Sequence, residues 1–436
     1  MQCPKFFIQF SALSIVAIFA LLFSCKKDDG EEENSISEKY AYTHIALLDF
    51  DKNDFIDNQT IVIDPETGTI LDLFETGTKT ISKEIKTIDM TGKFLIPGLI
   101  EGHGHLASEV GEQTAYGLSK IRAFFQSGIT TVFDKAGNGI AFKKLQESAE
   151  EKTEPLSKVY FASLVAGSDF YGDDSRVKPT AGDSEPGKVA WMAVLEDDTD
   201  VEKLVKDAKD FGSSALKLYM DITPENAKRV IEAAQNQNLP VWSHGTLFSA
   251  GPWDLEGIKS YAHAIFLRDV VLENIPNAEV AFTEEGYDAI PYDLSAIDSE
   301  KMDAYFDLLI ENKTVPDATL IVYLDTDSEE GIIFSEKVTE KAHQKGVLIG
   351  AGSDSELGLF AELRLLHLKA KLSIIECIKA ATLNNAISLN LDNQLGTIAK
   401  GKIADLVVLS KNPLNGLDNL KSVERVIKSG YEHSIN

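Results

Sequence analysis

Short apolar runs alternate with helical patterns eight times between residues 94 and 351, and this alternation limits the possible folds more than any other feature. The runs predict strands at 94–100, 129–134, 159–166, 216–220, 240–243, 261–264, 320–324 and 347–351. Eight strands separated by helices fit a parallel barrel better than an open sheet. The sequence therefore predicts an α/β fold that contains a (β/α)8 TIM barrel.

The first predicted strand leads directly into two histidines, His103 and His105. Because side chains alternate along a strand, residues two apart project from one face and can bind the same ion. A His-x-His pair alone is weak evidence, since it is equally compatible with two surface histidines. Four further potential ligands lie in or near the ends of other short apolar runs: Lys217, His244, His263 and Asp354. Together they predict a metal centre that a barrel would assemble.

These residues resemble the amidohydrolase superfamily of metal-dependent hydrolases, in particular its imidazolonepropionase-like and prolidase-like branch. The resemblance extends from about residue 41 to about residue 428, and beyond the ligand set it includes the segments 97–100, 380–386, 395–398 and 401–409. The chain departs from the family pattern with Glu101 in place of Asp, Asn385 in place of Pro, and Ala264 in place of Gly after His263. None of these departures removes a ligand.

The resemblance also implies a domain organisation. A small β-sandwich built from both chain ends is expected at 40–93 and 391–436, beside a metal-dependent hydrolase barrel at 94–390. Two connections, from 167 to about 200 and from 266 to about 319, are longer than simple joints between barrel elements. Loops that follow barrel strands build the mouth of the active site, so we expect these two to act there as lids or specificity elements.

Two divalent ions, zinc or a similar metal, are implied by the resemblance. His103, His105 and Asp354 would bind one ion, and His244 and His263 would bind the second. Lys217 would bridge the ions as a carbamate, formed when its amine reacts with carbon dioxide. An ammonium group would repel both ions, whereas a carbamate is an anion with two oxygens to share. The alternative is that Lys217 is an ordinary strand lysine, which is costly in so apolar a strand.

The implied reaction is hydrolysis of a carbon–nitrogen bond, in a linear or cyclic amide, by a metal-activated hydroxide. Asp354 would accept the remaining proton and pass it to the departing nitrogen. One alternative is a prolidase-like dipeptidase, although the loop 167–183 lacks a histidine that relatives of that branch often carry. Another is a non-catalytic surface lipoprotein that binds a small molecule, which would have no need of a complete ligand set.

Three further residues are weaker candidates for contact with a small-molecule substrate. Tyr219 lies two residues after Lys217 and faces the same side of the strand, although filling the barrel core is an equal alternative. Asp169 and Arg268 follow predicted strands and could bind a polar group of the substrate, but most charged loop residues are simply solvated. The other histidines are assigned to structural or surface positions.

The first 39 residues predict the cellular location of the protein. Residues 6–23 form an apolar run that follows Lys5 and ends at Ser24-Cys25, which resembles a bacterial lipoprotein signal. We expect a signal peptide at 1–24, lipidation of Cys25, and a flexible acidic tether at 25–39. The mature protein would be exported and lipid-anchored to the outer membrane, facing the periplasm or the cell surface. The alternative is a transmembrane anchor at 6–23.

The net charge of −27, from 42 basic and 69 acidic residues, argues against nucleic acid as a partner because its phosphates would be repelled. The same charge implies that an anionic substrate would need a local cationic group for binding. With Cys25 assigned to lipid, we expect no disulfide in the mature chain.

Overall fold

The computed structural model describes residues 38–107, 113–247, 249–273, 292–324, 328–356 and 358–435, which belong to one compact unit. The predicted signal peptide, Cys25 and most of the tether lie outside these residues. A search of the described helices finds none with the length and apolar character needed to cross a membrane.

The strands in chain order are β1 (Tyr40–Asp49), β2 (Asp54–Asp64), β3 (Thr69–Glu75), β4 (Lys86–Asp89), β5 (Phe94–Pro97), β6 (Leu99–Gly104), β7 (Ile129–Asp134), β8 (Lys158–Ala166), β9 (Lys188–Val189), β10 (Met192–Val194), β11 (Ala215–Leu218), β12 (Val241–Ser243), β13 (Ser260–Ala262), β14 (Val315–Asp317), β15 (Leu406–Leu409), β16 (Val423–Lys428) and β17 (Tyr431–Ser434). The α-helices are α1 (Gln113–Gln126), α2 (Gly139–Glu150), α3 (Ser168–Asp173), α4 (Val177–Ala181), α5 (Val201–Phe211), α6 (Pro224–Asn236), α7 (Glu300–Asn312), α8 (Glu329–Lys345), α9 (Leu359–Leu368), α10 (Ile374–Lys379) and α11 (Asn385–Ser388).

Seven parallel strands form a nearly closed barrel, in the order β6, β7, β8, β11, β12, β13 and β14. The segment 347–351 completes the ring. It forms a bridge to β14 between Gly350 and Asp317, and its Ala351 carbonyl accepts a hydrogen bond of 3.0 Å from the Gly102 amide of β6. The predicted TIM barrel is confirmed, and the carboxyl ends of its strands meet at one edge.

Three of the predicted strands differ from the structure, and the one at 347–351 is reduced to the single bridge at Gly350. The seventh strand is Val315–Asp317, and the predicted strand at 320–324 is wrong. The amides of Leu320 and Ile321 instead donate to the buried carboxylate of Glu362, at 3.0 and 2.9 Å, so they do not pair with a strand. The predicted strand at 94–100 is two strands, β5 and β6, which separate at Gly98.

The second sheet is mixed and joins the two ends of the chain. Its order is β17-β16-β15-β5-β1-β2-β3, and β4 pairs with β1. Strand β5 lies between β15 from the C-terminal part and β1 from the N-terminal part. The sheet thus combines strands from both ends of the chain, and it includes β5, which the predicted boundaries assigned to the barrel. The buried Lys428 of β16 ties the sheet to the end of α2 and the connection to β8, because its Nζ lies within hydrogen-bond distance of four backbone carbonyls, those of Ala149, Glu151, Glu154 and Leu156.

Helix capping fixes the elements around β11, the strand that carries Lys217. The Asp200 side chain accepts a hydrogen bond from the Lys203 amide at the start of α5. The Thr223 hydroxyl accepts one from the Asn226 amide at the start of α6, whose first residue is Pro224. Strand β11 runs between these two helices.

Candidate metal centre

All six predicted ligands lie at the carboxyl edge of the barrel. His103 is near the end of β6 and His105 directly follows it, Lys217 is in β11, and His244 and His263 directly follow β12 and β13. Asp354 follows the segment that closes the barrel. The six side chains line one cavity of about 560 Å³, which the barrel edge and the connection after β8 enclose. The structure therefore brings the predicted ligand set together.

The carboxylate of Asp354 lies at the centre of this set. Its Oδ2 is 3.6 Å from His103 Nε2 and 3.7 Å from His263 Nε2, and its Oδ1 is 3.1 Å from His105 Nε2. Potential ligand atoms of His103, His263 and Asp354 all lie within 4.8 Å of one another. Two imidazole nitrogens and a carboxylate at this separation can bind a divalent ion. The ring of His244 lies 4.8 Å from that of His263, at the side of this group.

Hydrogen bonds on the far side of three imidazoles orient their Nε2 atoms. His103 Nδ1 lies 2.6 Å from Asp317 Oδ2, and His263 Nδ1 lies 2.7 Å from Thr319 Oγ1. His244 Nδ1 lies 3.2 Å from a backbone carbonyl, that of Thr246. The carboxylate and the carbonyl can only accept, so they place the proton of His103 and His244 on Nδ1 and leave the Nε2 lone pair for an ion; the Thr319 hydroxyl can accept from His263 in the same way.

Burial keeps most of these imidazoles neutral. It lowers the pKa of His103 to about 4 and that of His244 to about 3, and it also lowers the pKa of His263 well below its ordinary value. Neutral imidazole is the form that binds metal. His105 differs: burial lowers its pKa, but the charge and hydrogen bond of Asp354, with the charge of Asp134, together raise this pKa to about 9. Burial raises the pKa of Asp354, but the neighbouring His103 and His105 lower it more.

Lys217 is the least satisfied group of the centre. Its side chain is buried, and its Nζ has no hydrogen-bond partner among the described residues. Burial, with the nearby Lys135 as a second cause, lowers the pKa of Lys217 to about 7. A buried amine without a partner is costly, so this atom fits a site where a bound group supplies the missing contacts.

Several residues that support the ligands were not assigned this role from the sequence. Glu101 is fully buried and accepts hydrogen bonds from the His103 amide (3.0 Å) and from the amide and hydroxyl of Ser353 (2.8 and 2.9 Å). It thus links β6 to the residue before Asp354. Asp317 was missed because the predicted seventh strand lay too far along the chain. Lys135 directly follows β7, is buried, and has its Nζ 4.0 Å from the centroid of the Trp242 ring.

Of the three weaker candidates for substrate contact, only Tyr219 lies at the cavity. Tyr219 lines the cavity, and its ring lies 4.7 Å from that of His244. Neither Asp169 nor Arg268 occurs among the described residues that line the cavity. Asp169 is exposed in α3, whereas Arg268 is buried with its guanidinium 4.3 Å from the centroid of the Tyr292 ring.

The connection after β8 forms one wall of the cavity. It folds into α3, α4 and the β9–β10 hairpin, which pack on one another through an apolar cluster that includes Phe170, Tyr171, Val177 and Trp191. It contributes a continuous set of lining residues: Phe170, Ser175, Arg176, Val177, Thr180 and Met192. The other long connection contributes no lining residue between 267 and 318, within the part that the structure describes.

Comparison with known proteins identifies the class. Residues 94–432 match the model of the amidohydrolase family. An imidazolonepropionase of Thermoplasma volcanium is 23% identical over 419 residues, which cover 86% of this chain and 91% of the relative. The crystal structure of a Xaa-Pro dipeptidase with bound methionine has a TM-score of 0.68 and 21% identity, covering 91% of this chain and all of the other. An ochratoxinase of A. niger has a TM-score of 0.67 and 19% identity, covering 90% and 95%.

The chain belongs to the amidohydrolase family. It is a metal-dependent hydrolase that acts on carbon–nitrogen bonds, as the sequence predicted, and its relatives of low identity include imidazolonepropionase-like and prolidase-like proteins.

Asp317 provides a test of how the ligands are oriented. Asp317→Asn removes the negative charge that holds His103 Nδ1–H, so metal affinity should fall roughly tenfold to a hundredfold. Competition with a chromogenic chelator measures this directly. Asp307→Asn, at an exposed surface aspartate, is the matched control and should leave the affinity unchanged. Equal affinity in both variants would show that Asp317 does not orient the ligand.

Proposed function

We propose that this protein hydrolyses a carbon–nitrogen bond in a small linear or cyclic amide. The observation that carries the proposal is the convergence of His103 Nε2, His263 Nε2 and the Asp354 carboxylate within 4.8 Å, at the wall of a cavity of about 560 Å³. A cavity of this size suits a small molecule. A complete set of ligands at the carboxyl edge of a barrel favours catalysis over simple binding.

The five imidazole and carboxylate groups at His103, His105, His244, His263 and Asp354 would hold up to two divalent ions, zinc or a similar metal. When bound, such ions make a water molecule more acidic and polarise a carbonyl oxygen. Asp354 is ionised, so it can accept a proton from the attacking water as the new carbon–oxygen bond forms. It then returns this proton to the nitrogen as the carbon–nitrogen bond breaks, which leaves an acid and an amine.

A dipeptidase of the prolidase-like type is the second candidate. The structural likeness to a Xaa-Pro dipeptidase over 91% of this chain favours it. The cavity wall built by the connection after β8 carries Ser175, Arg176 and Thr180 as its polar residues, and no histidine occurs in this connection. Recognition of a dipeptide here would therefore use residues other than a loop histidine.

Removal of metal and replacement of Asp354 test the proposed reaction. Chelation should abolish the hydrolysis of dipeptides, N-acyl amino acids or lactams, whichever the enzyme accepts, and added zinc should restore it. Asp354→Asn should lower turnover by roughly a hundredfold or more, the range for loss of a general base. Asp298→Asn, at an exposed aspartate, is the control. Activity that survives complete removal of metal, verified by elemental analysis, would refute the proposal.

We further propose that Lys217 carries a carbamate. The support is its buried Nζ, which has no hydrogen-bond partner among the described residues although Lys217 lines the same cavity as the other ligand candidates. A carbamate replaces the amine with an anion whose two oxygens can each contact an ion.

Labelling tests the carbamate independently of activity. Protein purified with ¹³C-labelled bicarbonate should show a carbamate carbon signal in NMR spectra, and Lys217→Ala should lose both this signal and metal content. A short carboxylic acid should partly restore metal binding to Lys217→Ala, because it supplies the missing oxygens. Full metal content in Lys217→Ala, with the signal unchanged, would show that the lysine has only a structural role.

For the location of the protein we propose export and lipid anchoring at Cys25. The apolar run 6–23, the small residue before Cys25 and the charged segment after it support this proposal. Cys25→Ser should abolish lipid labelling and leave an uncleaved or mislocalised form, whereas Cys3→Ser should change neither the labelling nor the location. Mass spectrometry that finds residues before Cys25 on a mature, membrane-bound chain would favour the transmembrane anchor instead.

A further inference from the structure

The wall of the cavity carries a cation that the proposed reaction does not use. Arg176 directly precedes α4, and it lines the cavity between Ser175 and Val177. Its side chain is 64% exposed, so solvent and small molecules reach it. The other lining cations differ from it. Lys135 and Lys217 are buried, and Lys120 is bound by the carboxylate of Glu356.

The guanidinium of Arg176 is held in place but is not saturated. Its Nε lies 2.9 and 3.1 Å from the two carboxylate oxygens of Asp174, and its Nη2 donates to the same carboxylate. Nη2 also lies 3.5 Å from the hydroxyl of Tyr219. Nη1 makes no hydrogen bond to any residue that the structure describes. Two N–H groups of a fixed, planar cation therefore remain for an acceptor from a ligand.

Arg176 lies close to the metal ligands. The Tyr219 ring, whose hydroxyl contacts Arg176, packs edge-on 4.7 Å from the ring of His244. The cation is thus separated from the ligand cluster by a single phenol ring. A small substrate can therefore reach both the reacting centre and Arg176 at the same time.

The residues around Arg176 indicate which chemical groups such a substrate has. Phe170, Val177 and Met192 form an apolar surface beside the guanidinium, which suits an aliphatic or aromatic side chain. The protein as a whole carries a net charge of −27, which repels anions over the rest of its surface. A carboxylate at this point would therefore depend on the local charge of Arg176.

We propose that Arg176 binds the carboxylate of the substrate, so that the enzyme prefers N-acylated or N-peptidyl amino acids with an apolar side chain over their neutral amides. This inference rests on the proposed function, because it assigns a substrate class to the same cavity. Arg176 is a recognition residue in it and takes no part in the transfer of protons.

Matched acid and amide probes test the inference. Titration calorimetry on the metal-loaded protein would compare N-acetyl-L-leucine with N-acetyl-L-leucinamide, which differ only in the charged group. The acid should bind about tenfold more tightly, as expected for one partly exposed charge-assisted hydrogen bond. Arg176→Gln should remove this preference, and Arg176→Lys should keep part of it. Lys178→Gln removes an exposed cation of α4 that does not line the cavity, and it should keep the full preference.

Three outcomes would overturn the inference. The wild type could bind both probes equally, or Arg176→Gln could keep the preference for the acid. Arg176→Gln could also bind both probes more weakly by the same factor, which would indicate a structural role for Arg176. Hydrolysis measured on the same samples separates the two proposals. Preference for the acid without turnover of any amide would count against the proposed function alone. Turnover without preference for the acid would count against the role of Arg176 alone.

Discussion

The metal centre depends on the contact that closes the barrel, between β6 and the segment 347–351. The amide of Asp354 donates to the carbonyl of His103 at 3.0 Å, and buried Glu101 joins the two segments through Ser353. Asn385 adds a third link, because its Nδ2 donates to the carbonyls of Ile100 (2.9 Å) and Ala351 (2.7 Å). Without these contacts the residues on the first strand would not meet Asp354.

The same closure concentrates charge in a region with little solvent. The buried carboxylates of Glu101 and Asp317 both contact His103, and the buried amines of Lys135 and Lys217 line the same cavity. Burial raises the pKa of Glu101 to about 7 and lowers that of Lys135 to about 8, so each group is shifted towards its neutral form. Such a set is tolerated because opposite charges compensate one another. Removal of one member should therefore disturb the others, which links the stability of the barrel to the composition of its site.

The sequence alone was sufficient for the barrel and for the ligand candidates, because both depend on local patterns. Apolar runs predict strands, and a ligand such as His103 directly follows one. Local sequence patterns were insufficient to predict contacts between segments that lie far apart in the chain. The run at 320–324 is apolar, but Glu362 takes two of its amides, and no local pattern reveals this competition. Asp317 was missed because the seventh strand was predicted too far along the chain, and Arg176 was missed because its neighbour Tyr219 lies far from it in sequence.

The backbone at the ligands shows what orients them. His263 and Asp354 have φ angles of +69° and +45°, a region that residues with side chains rarely adopt. Each is held there by a neighbouring strand, since the amide of His263 donates to the carbonyl of Asp317 at 2.8 Å and that of Asp354 to His103. The strain is thus balanced by hydrogen bonds of the barrel itself. It follows that the directions of these two ligands are set by the fold, whereas the connection after β8, which carries Arg176, can vary and change the substrate without disturbing the ligands.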